Sequence, residues 1–240
     1  MKVLDLFSGI GGFSLGLGRA GMQTVGFCEI EDYPSAIIKK HWPDVPNYRD
    51  VRKLDGTKLK GTVDLICGGF PCQPFSVAGK QKGKEDDRHL WPDMLRLIRE
   101  IEPSWVIGEN VAGFIKMALD DVLLDLENEG YTAQSFVIPA CAVGADHRRD
   151  RVWIVAHTNR LRIQGHSIKQ VLGGGALQKS SYRSIKGWAK RSDIPKPRVI
   201  RGTDGVPSRV DRTKALGNAV VPQIPEIIGR AIIKTIKSGK

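Results

Sequence analysis

The chain is poor in cysteine and contains no long apolar run. Its four cysteines form no CxxC pair and have no histidine at the spacing of a zinc site, so neither a disulfide framework nor a metal site is expected. No stretch approaches the roughly 20 apolar residues that a membrane span needs. The first residues also lack the length and cleavage site of a signal peptide. These absences predict a soluble cytoplasmic protein without a metal.

Acidic residues are scarce in the last third of the chain. Residues 158–240 hold 18 of the 37 lysines and arginines but only four of the 26 acidic residues, a formal charge of +14 in a chain of +11. The basic field therefore belongs to one end of the sequence, as binding to a polyanion would require. A solvated lysine-rich surface is the alternative.

The first 157 residues alternate short apolar runs with helical patterns. With 240 residues, 41% of them hydrophobic, the chain can bury one substantial core. The alternation predicts a doubly wound α/β sheet whose strands are mostly parallel. The predicted strands are Lys2–Leu6, Thr24–Glu29, Val63–Gly68, Trp105–Glu109, Ser135–Ile138 and Val152–Ala156. The predicted helices are Phe13–Ala20, Tyr33–His41, Pro92–Glu100 and Met117–Asn128.

The alternation ends after His157. Residues 158–205 are basic, rich in Gly, Ser and Pro, and show no sustained period, which indicates a small module or an insertion. Near the C-terminus, Pro225 begins an amphipathic helix that we expect to pack on the first domain. The predicted division is therefore 1–157, 158–205 and 206–240.

A candidate nucleophile lies in the pentapeptide Gly69-Phe70-Pro71-Cys72-Gln73, directly after a predicted strand. Pro71 fixes the backbone directly before Cys72, and Pro74 keeps the residue before it, Gln73, out of a helix. The thiol is thereby presented on a stiff loop, as covalent catalysis requires. A buried structural cysteine is the alternative. The other cysteines, Cys28, Cys67 and Cys141, are interpreted as core residues.

A second pattern suggests a nucleotide-like ligand. The glycine-rich turn Phe7–Gly12 follows a strand and opens a helix, where backbone N–H groups are free and a ligand can approach closely. Glu29, at the end of the next strand, can accept both hydroxyls of a ribose. Asp50 can accept from an adenine amino group, or it can be a turn or capping residue.

Further charged residues are expected at the same edge of the sheet. Glu109 ends a strand on the carboxyl edge that also holds Cys72, where ligands bind in such sheets. A buried salt-bridged glutamate is the alternative. The run 147–151 contains three arginines and leads into the last strand, so it either faces the same region or is a solvated charge run.

These motifs occur in a recognisable order. The segments Phe7–Gly12, Gly69–Gln73, Glu109–Val111, Arg149–Arg151 and Gly217–Pro222 stand in the order of the motifs of the DNA (cytosine-5) methyltransferases. Over residues 1–157 and about 205–240, the chain resembles a compact bacterial or phage member of that family. The resemblance implies a Rossmann-like domain that uses S-adenosylmethionine, with a target-recognition module before the last two motifs. It also implies methylation of double-stranded DNA, as in restriction-modification, and we expect a monomer.

The resemblance assigns catalytic roles to four residues. The Cys72 thiolate would attack C6 of cytosine and make C5 nucleophilic. Glu109 would contact N3 and the exocyclic amine, and Arg151 would hold O2. Arg149 would sit near the thiolate or a phosphate and lower the thiol pKa from its usual value of about 8.5. Because C6 is inaccessible inside a duplex, the base would be flipped out.

The resemblance also assigns the cofactor site. The methionine end would lie at the glycine-rich turn, the ribose at Glu29, and the adenine beside Ile30 and Asp50. Asn218 would close the pocket from the last motif. The complete predicted set is Phe7, Gly9, Gly11, Gly12, Glu29, Ile30, Asp50, Pro71, Leu90 and Asn218.

Three other functions remain open. One branch of this family modifies tRNA with the same motifs, although its extra signature is not evident here. A catalytically silent DNA-binding module is a second alternative, but Cys72, Glu109 and Arg151 are all intact. An NAD-dependent oxidoreductase would explain the glycine-rich turn and Glu29, but neither the Pro-Cys motif nor the basic tail.

The basic segment generates a first prediction. If its cationic side chains contact phosphate, DNA affinity should fall steeply with salt, and each lost contact should flatten the log–log slope by about 0.9. A residue that reads a base edge should instead cost roughly 1–3 kcal/mol at one base pair. Affinities of single Ala variants, measured at several salt concentrations, distinguish the two roles. The positions to substitute are Arg183, Lys186, Lys190, Arg191, Lys196, Arg198 and Arg201. An affinity that is independent of salt would mean that DNA binds a different surface.

Overall fold

The computed structural model describes residues 1–71, 90–158 and 209–238, the last range with its side chains from Lys214 onward. The predicted nucleophile Cys72 and residues 159–205 of the predicted recognition module lie outside the described residues.

A six-stranded sheet organises the part of the chain that the structure describes. Its strands are β1 (Lys2–Leu6), β2 (Gln23–Cys28), β3 (Leu65–Gly68), β4 (Trp105–Val111), β5 (Tyr131–Pro139) and β6 (Asp150–Thr158). Their order across the sheet is β2-β1-β3-β4-β6-β5. The pairs among β1 to β4 are parallel, whereas β6 runs antiparallel to both β4 and β5. Five strands therefore share one direction and β6 alone is reversed.

The helices lie between the strands and at the C-terminal end. They are α1 (Gly12–Arg19), α2 (Asp32–His41), α3 (Trp91–Ile101), α4 (Leu119–Asn128), α5 (Arg209–Asn218) and α6 (Gln223–Ser238). Helix α3 begins with Pro92 in its first turn, where the missing N–H costs nothing. It ends at Ile101, and the next residue, Glu102, adopts the left-handed conformation common after a helix.

Two apolar clusters lie on opposite faces of the sheet, because successive strand residues point to opposite sides. On one face, Leu4, Leu6 and Ile66 pack with side chains of α3 and α4. On the other face, strand residues including Trp153 pack with side chains of α1 and α6. The C-terminal helix thus packs on the same face of the sheet as α1.

The predicted doubly wound α/β class is confirmed, and all six predicted strands are present. The bounds differ most for β5 and β6, which are nine residues long instead of the four and five predicted. The sequence pattern did not reveal α5, which is polar and has little apolar periodicity. It also did not specify the direction of β6, since periodicity identifies a strand without orienting it.

Glycines let the C-terminal segment approach α1 closely. A Cβ atom on Gly12 would stand 2.6 Å from the carbonyl oxygen of Val220, and one on Gly16 would stand 2.2 Å from that of Pro222. Along α6, a Cβ on Gly229 would stand 2.9 Å from the side chain of Ala20. Backbone contacts therefore position residues 220–222 beside the end of the glycine-rich turn and the first turns of α1.

This contact predicts opposite effects for two substitutions in one helix. Gly16→Ala should lower the free energy of unfolding by about 1–3 kcal/mol, because the new methyl group overlaps a backbone oxygen. Gly18→Ala is the matched control: apart from its chain neighbours and the backbone of its own helix, no described atom lies within 4 Å of its Cβ position, so the better helix former should add up to about 1 kcal/mol. Urea unfolding of both variants measures the difference. Equal effects would contradict the close contact.

Candidate functional site

The predicted site residues converge at the carboxyl edge of the sheet. Phe7, Glu29 and Gly69 directly follow β1, β2 and β3, and Glu109 lies near the end of β4. Because β6 is reversed, its first residues reach this same edge and bring Arg151 beside β4. The topology therefore gathers residues that are far apart in sequence.

These residues line one cavity of about 750 Å³. Its lining includes eleven of the fourteen residues singled out from the sequence: Phe7, Gly9, Glu29, Ile30, Asp50, Pro71, Leu90, Glu109, Arg149, Arg151 and Asn218. Gly11 and Gly12 lie in the turn behind the lining, where a Cβ would meet Trp42 and Val220 respectively. Cys72 is the fourteenth and lies outside the described residues.

The buried carboxylate of Asp5 supports the glycine-rich turn through hydrogen bonds to α1. Asp5 Oδ2 accepts hydrogen bonds from the backbone N–H and the hydroxyl of Ser14, at 3.2 and 2.6 Å. Burial raises the pKa of Asp5 to about 7, with the Ser14 hydrogen bonds opposing the shift. Both Phe7 and Gly9 in the turn have positive φ, 52° and 53°. Asp5 thus connects β1 to the first turn of α1 while the turn opens toward the cavity.

Glu29 lines one end of the cavity. One carboxylate oxygen accepts the N–H of Gly9 at 2.8 Å, and the other accepts the N–H of Glu31 at 2.7 Å. The side chain is buried, and this burial raises its pKa despite the two hydrogen bonds. Because each carboxylate oxygen has a further lone pair, Glu29 can still accept hydrogen bonds from a ligand.

Asp50 lies beside this end of the cavity and is paired with Arg52. The Arg52 Nε and Nη2 atoms lie 2.9 and 3.0 Å from its two carboxylate oxygens. These hydrogen bonds lower the pKa of Asp50. Asp50 also caps the short helical turn Val51–Lys53 by accepting the Arg52 N–H. The capping alternative considered from the sequence is therefore realised, and Asp50 lines the cavity as well.

The other end of the cavity carries an ion pair. Arg151 Nε lies 2.9 Å from Glu109 Oε1, and both side chains are largely buried. Burial raises the pKa of Glu109, although the charges of Arg151 and Arg149 oppose the shift. A Cβ on Gly69 would stand 3.1 Å from Glu109 Oε2, so a glycine leaves room for this carboxylate. Glu109 is thus buried, paired and directed toward the turn after β3.

Buried Asn110 fixes the backbone before the candidate nucleophile. Its Nδ2 donates to the Phe70 carbonyl oxygen at 3.0 Å, and its Oδ1 accepts from the Val111 N–H at 2.9 Å. The Phe70 ring packs against Trp91 and Phe114 with centroid separations of 5.1 and 5.4 Å. These contacts therefore fix the position of Phe70, the residue before Pro71, at the cavity lining.

Arg149 is hydrogen-bonded to the segment after α5. Its guanidinium donates to the carbonyl oxygens of Gly217 and Ala219, at 2.5 and 3.0 Å. It therefore connects the beginning of β6 to the segment after α5 and holds Asn218 at the cavity. Lys214 on α5 also pairs with Glu31. The predicted position of Arg149 near the thiolate or a phosphate stays a prediction.

Sequence reasoning did not identify several polar residues around Glu29. Asn47 and Arg49 hydrogen-bond to the segment Glu29–Ser35, and Arg52 orients Asp50. Their only signal was the density of polar residues in 47–52, which is common in loops. Within the described residues, no cluster of three or more His, Cys, Asp and Glu could hold a metal. Those ranges also contain no helix with the length and apolar composition of a membrane span.

Comparison with known proteins identifies a family and several relatives. Residues 1–189 match the family described as C-5 cytosine-specific DNA methylase. The chain is 33% identical over 174 residues to the Type II methyltransferase M.HgiCII of Herpetosiphon aurantiacus, covering 70% of this chain and 40% of that protein. It is 32% identical over 169 residues to M.HhaI of Haemophilus parahaemolyticus, covering 68% and 51%. The chain thus spans about half the length, or less, of these relatives.

Solved structures extend the similarity to the fold. A putative DNA modification methyltransferase encoded within an Escherichia coli prophage aligns with a TM-score of 0.59 and 26% identity, covering 74% of this chain and 52% of that one. A Spodoptera frugiperda DNMT2 mutant aligns with a TM-score of 0.57 and 26% identity, covering 67% and 50%. With the family match extending over residues 1–189, the ordered motifs and the shared fold, this chain belongs to the C-5 cytosine-specific DNA methylase family.

Proposed function

We propose that the chain transfers a methyl group from S-adenosylmethionine to C5 of a flipped-out cytosine in double-stranded DNA. The observation that supports this most strongly is the single cavity that joins Glu29 at one end to the Glu109–Arg151 pair at the other. A nucleoside-binding carboxylate and a base-binding ion pair are the two halves that such a transfer needs. Family membership supports the same reaction.

The cofactor end has the chemistry to bind an adenosine with an amino-acid tail. Glu29 would accept the ribose hydroxyls, and the half-exposed Ile30 side chain would pack on the adenine ring. The glycine-rich turn offers close backbone approach to the tail, and Asn218 would close the cavity over it. When bound there, S-adenosylmethionine supplies an electrophilic methyl group.

The cytosine end would be organised by the ion pair. Arg151 would donate to O2 while it holds the Glu109 carboxyl group. Burial raises the pKa of Glu109 and so favours the protonated carboxyl group that would donate to N3 as negative charge develops in the ring. The exocyclic amine would donate to its other oxygen. These contacts would stabilise the ring after nucleophilic attack more than before it.

Cys72 would supply the nucleophile. Its thiolate would form a bond to C6, and the electron pair of the C5–C6 double bond would become available at C5 for the methyl group. Transfer of the methyl group to C5 would leave S-adenosylhomocysteine, and loss of the C5 proton to water would then restore the double bond and expel the thiolate. The position of Pro71 at the cavity lining supports this role, since Cys72 is the next residue.

The nucleophile generates a direct test of the proposed function. Cys72→Ala should abolish methyl transfer while DNA binding is largely retained. A duplex with 5-fluorocytosine at the target should trap the wild-type protein covalently, because C5 then has no proton to lose. Bisulfite sequencing of host DNA after expression finds the target, and tRNA in the same transfer assay tests the RNA alternative. Full activity of Cys72→Ala would reject the proposed mechanism.

Removal of the ribose-binding carboxylate provides a second test. Charge-assisted hydrogen bonds contribute roughly 1.5–3 kcal/mol, so Glu29→Ala should weaken S-adenosylmethionine binding at least about tenfold. Glu129→Ala is a suitable control, since Glu129 is paired with Arg99 away from the cavity. Calorimetry with both variants gives the affinities, and thermal unfolding checks the fold. Unchanged affinity in Glu29→Ala would exclude the ribose role.

A further inference from the structure

Arg49 connects two segments that line the same end of the cavity. We propose that Arg49 is a positioning residue that sets the width of the adenosine end, and this inference rests on the proposed use of S-adenosylmethionine. One of the two segments is Glu29–Ser35, at the end of β2 and the start of α2. The other is Asn47–Arg52, which contains Asp50. Both segments contribute side chains to the cavity lining.

The guanidinium of Arg49 reaches across from the second segment to the first. Its Nη1 donates to the Ser35 hydroxyl oxygen at 2.5 Å, and its Nη2 donates to the Ile30 carbonyl oxygen at 2.6 Å. Nη2 also lies 2.5 Å from Asp32 Oδ1. Two of these partners, a hydroxyl and a carbonyl oxygen, are uncharged. The planar guanidinium therefore contributes directed hydrogen bonds as well as charge.

Asn47 strengthens the same connection. Its Oδ1 accepts the backbone N–H groups of Glu29 and Arg49, both at 3.0 Å. Its Nδ2 donates to the Glu29 carbonyl oxygen at 3.2 Å and to Ser35 Oγ at 3.1 Å. The backbone around the ribose-binding carboxylate is therefore held by hydrogen bonds from the segment that carries Asp50.

The backbone of Arg49 shows that this arrangement carries a cost. Arg49 has φ of 67°, in the left-handed region that favours glycine. Of the four non-glycine residues with positive φ in the described ranges, Phe7, Arg49 and Arg149 all line the cavity. A glycine at position 49 would adopt this φ without strain but would make none of the side-chain contacts. The side-chain contacts of Arg49 therefore fix the distance between the two segments, while its backbone remains strained.

Loss of the Arg49 contacts should affect cofactor binding more than the methyl-transfer step. Ile30 is 54% exposed, and its carbonyl oxygen is the one that Arg49 holds. Without the guanidinium, Ile30 and Asp50 lose a direct connection, and the space for the adenine ring is less defined. The Glu109–Arg151 pair is carried by β4 and β6, away from this connection. Loss of Arg49 should therefore raise the KM for the cofactor and leave kcat at saturating cofactor nearly unchanged.

The decisive variant is Arg49→Gly, because it separates binding from stability. It loses the same side-chain contacts as Arg49→Ala but relieves the backbone strain, so its melting temperature without cofactor should lie above that of Arg49→Ala. Its affinity for S-adenosylmethionine, measured by calorimetry, should nevertheless fall roughly tenfold. Arg49→Ala retains the strain and should lose both affinity and melting temperature. Arg49→Lys keeps the charge but not the planar donors, so it should bind as weakly as Arg49→Gly.

Arg99→Ala provides the matched control. Arg99 is an exposed arginine paired with Glu129 at 2.7 Å, and neither residue lines the cavity, so its loss should leave cofactor affinity unchanged. Wild-type affinity in Arg49→Gly would overturn the inference, and so would full recovery by Arg49→Lys, since charge alone would then suffice. Absence of S-adenosylmethionine binding by the wild-type protein would instead reject the proposed function. The two failures are therefore distinguishable.

Discussion

The reversed pairing of β6 with β4 determines where the charges of this protein meet. Val111 and Arg151 are opposite one another in the antiparallel register, and Glu109 lies two residues before Val111 on the same face of β4. This diagonal arrangement brings Arg151 Nε within 2.9 Å of Glu109 Oε1. A slip of one residue would turn Arg151 to the other face of the sheet and leave Glu109 buried without its partner. Register, not only topology, therefore creates the end of the cavity that carries the Glu109–Arg151 pair.

Such a pair is a poor way to gain stability. Burying both charges carries a desolvation cost that their attraction offsets only in part, and the raised pKa of Glu109 reflects that cost. Backbone strain accumulates around the same cavity, at Phe7, Arg49 and Arg149. Strained residues persist only where surrounding contacts hold them, and they concentrate at functional sites. The cavity thus combines two unfavourable features that the apolar clusters on both faces of the sheet must support.

Some elements of this protein could be predicted from the sequence and others could not, because their signals differ in kind. Strands and most helices were predictable because their apolar residues repeat at the expected period, and strand ends locate the carboxyl edge where Glu29 and Glu109 lie. The direction of β6 was not predictable, since a reversed strand has the same alternation as a parallel one. Helix α5 was missed because its sequence is polar. Contacts such as Arg49 with Ile30 depend on loop conformations with positive φ at a non-glycine residue, which no local pattern announces.

The C-terminal segment shows how distant packing reaches the cavity. Close backbone contacts at Gly12 and Gly16 locate residues 220–222, and the Arg149 guanidinium holds the carbonyl oxygens on either side of Asn218. Asn218 consequently lines the cavity although it is remote in sequence from β1. A ligand that contacts both the glycine-rich turn and Asn218 would bind only when this segment is packed, so its binding free energy would add to the stability of that packing. Packing at α1 and occupancy of the cavity are therefore linked through the same short segment.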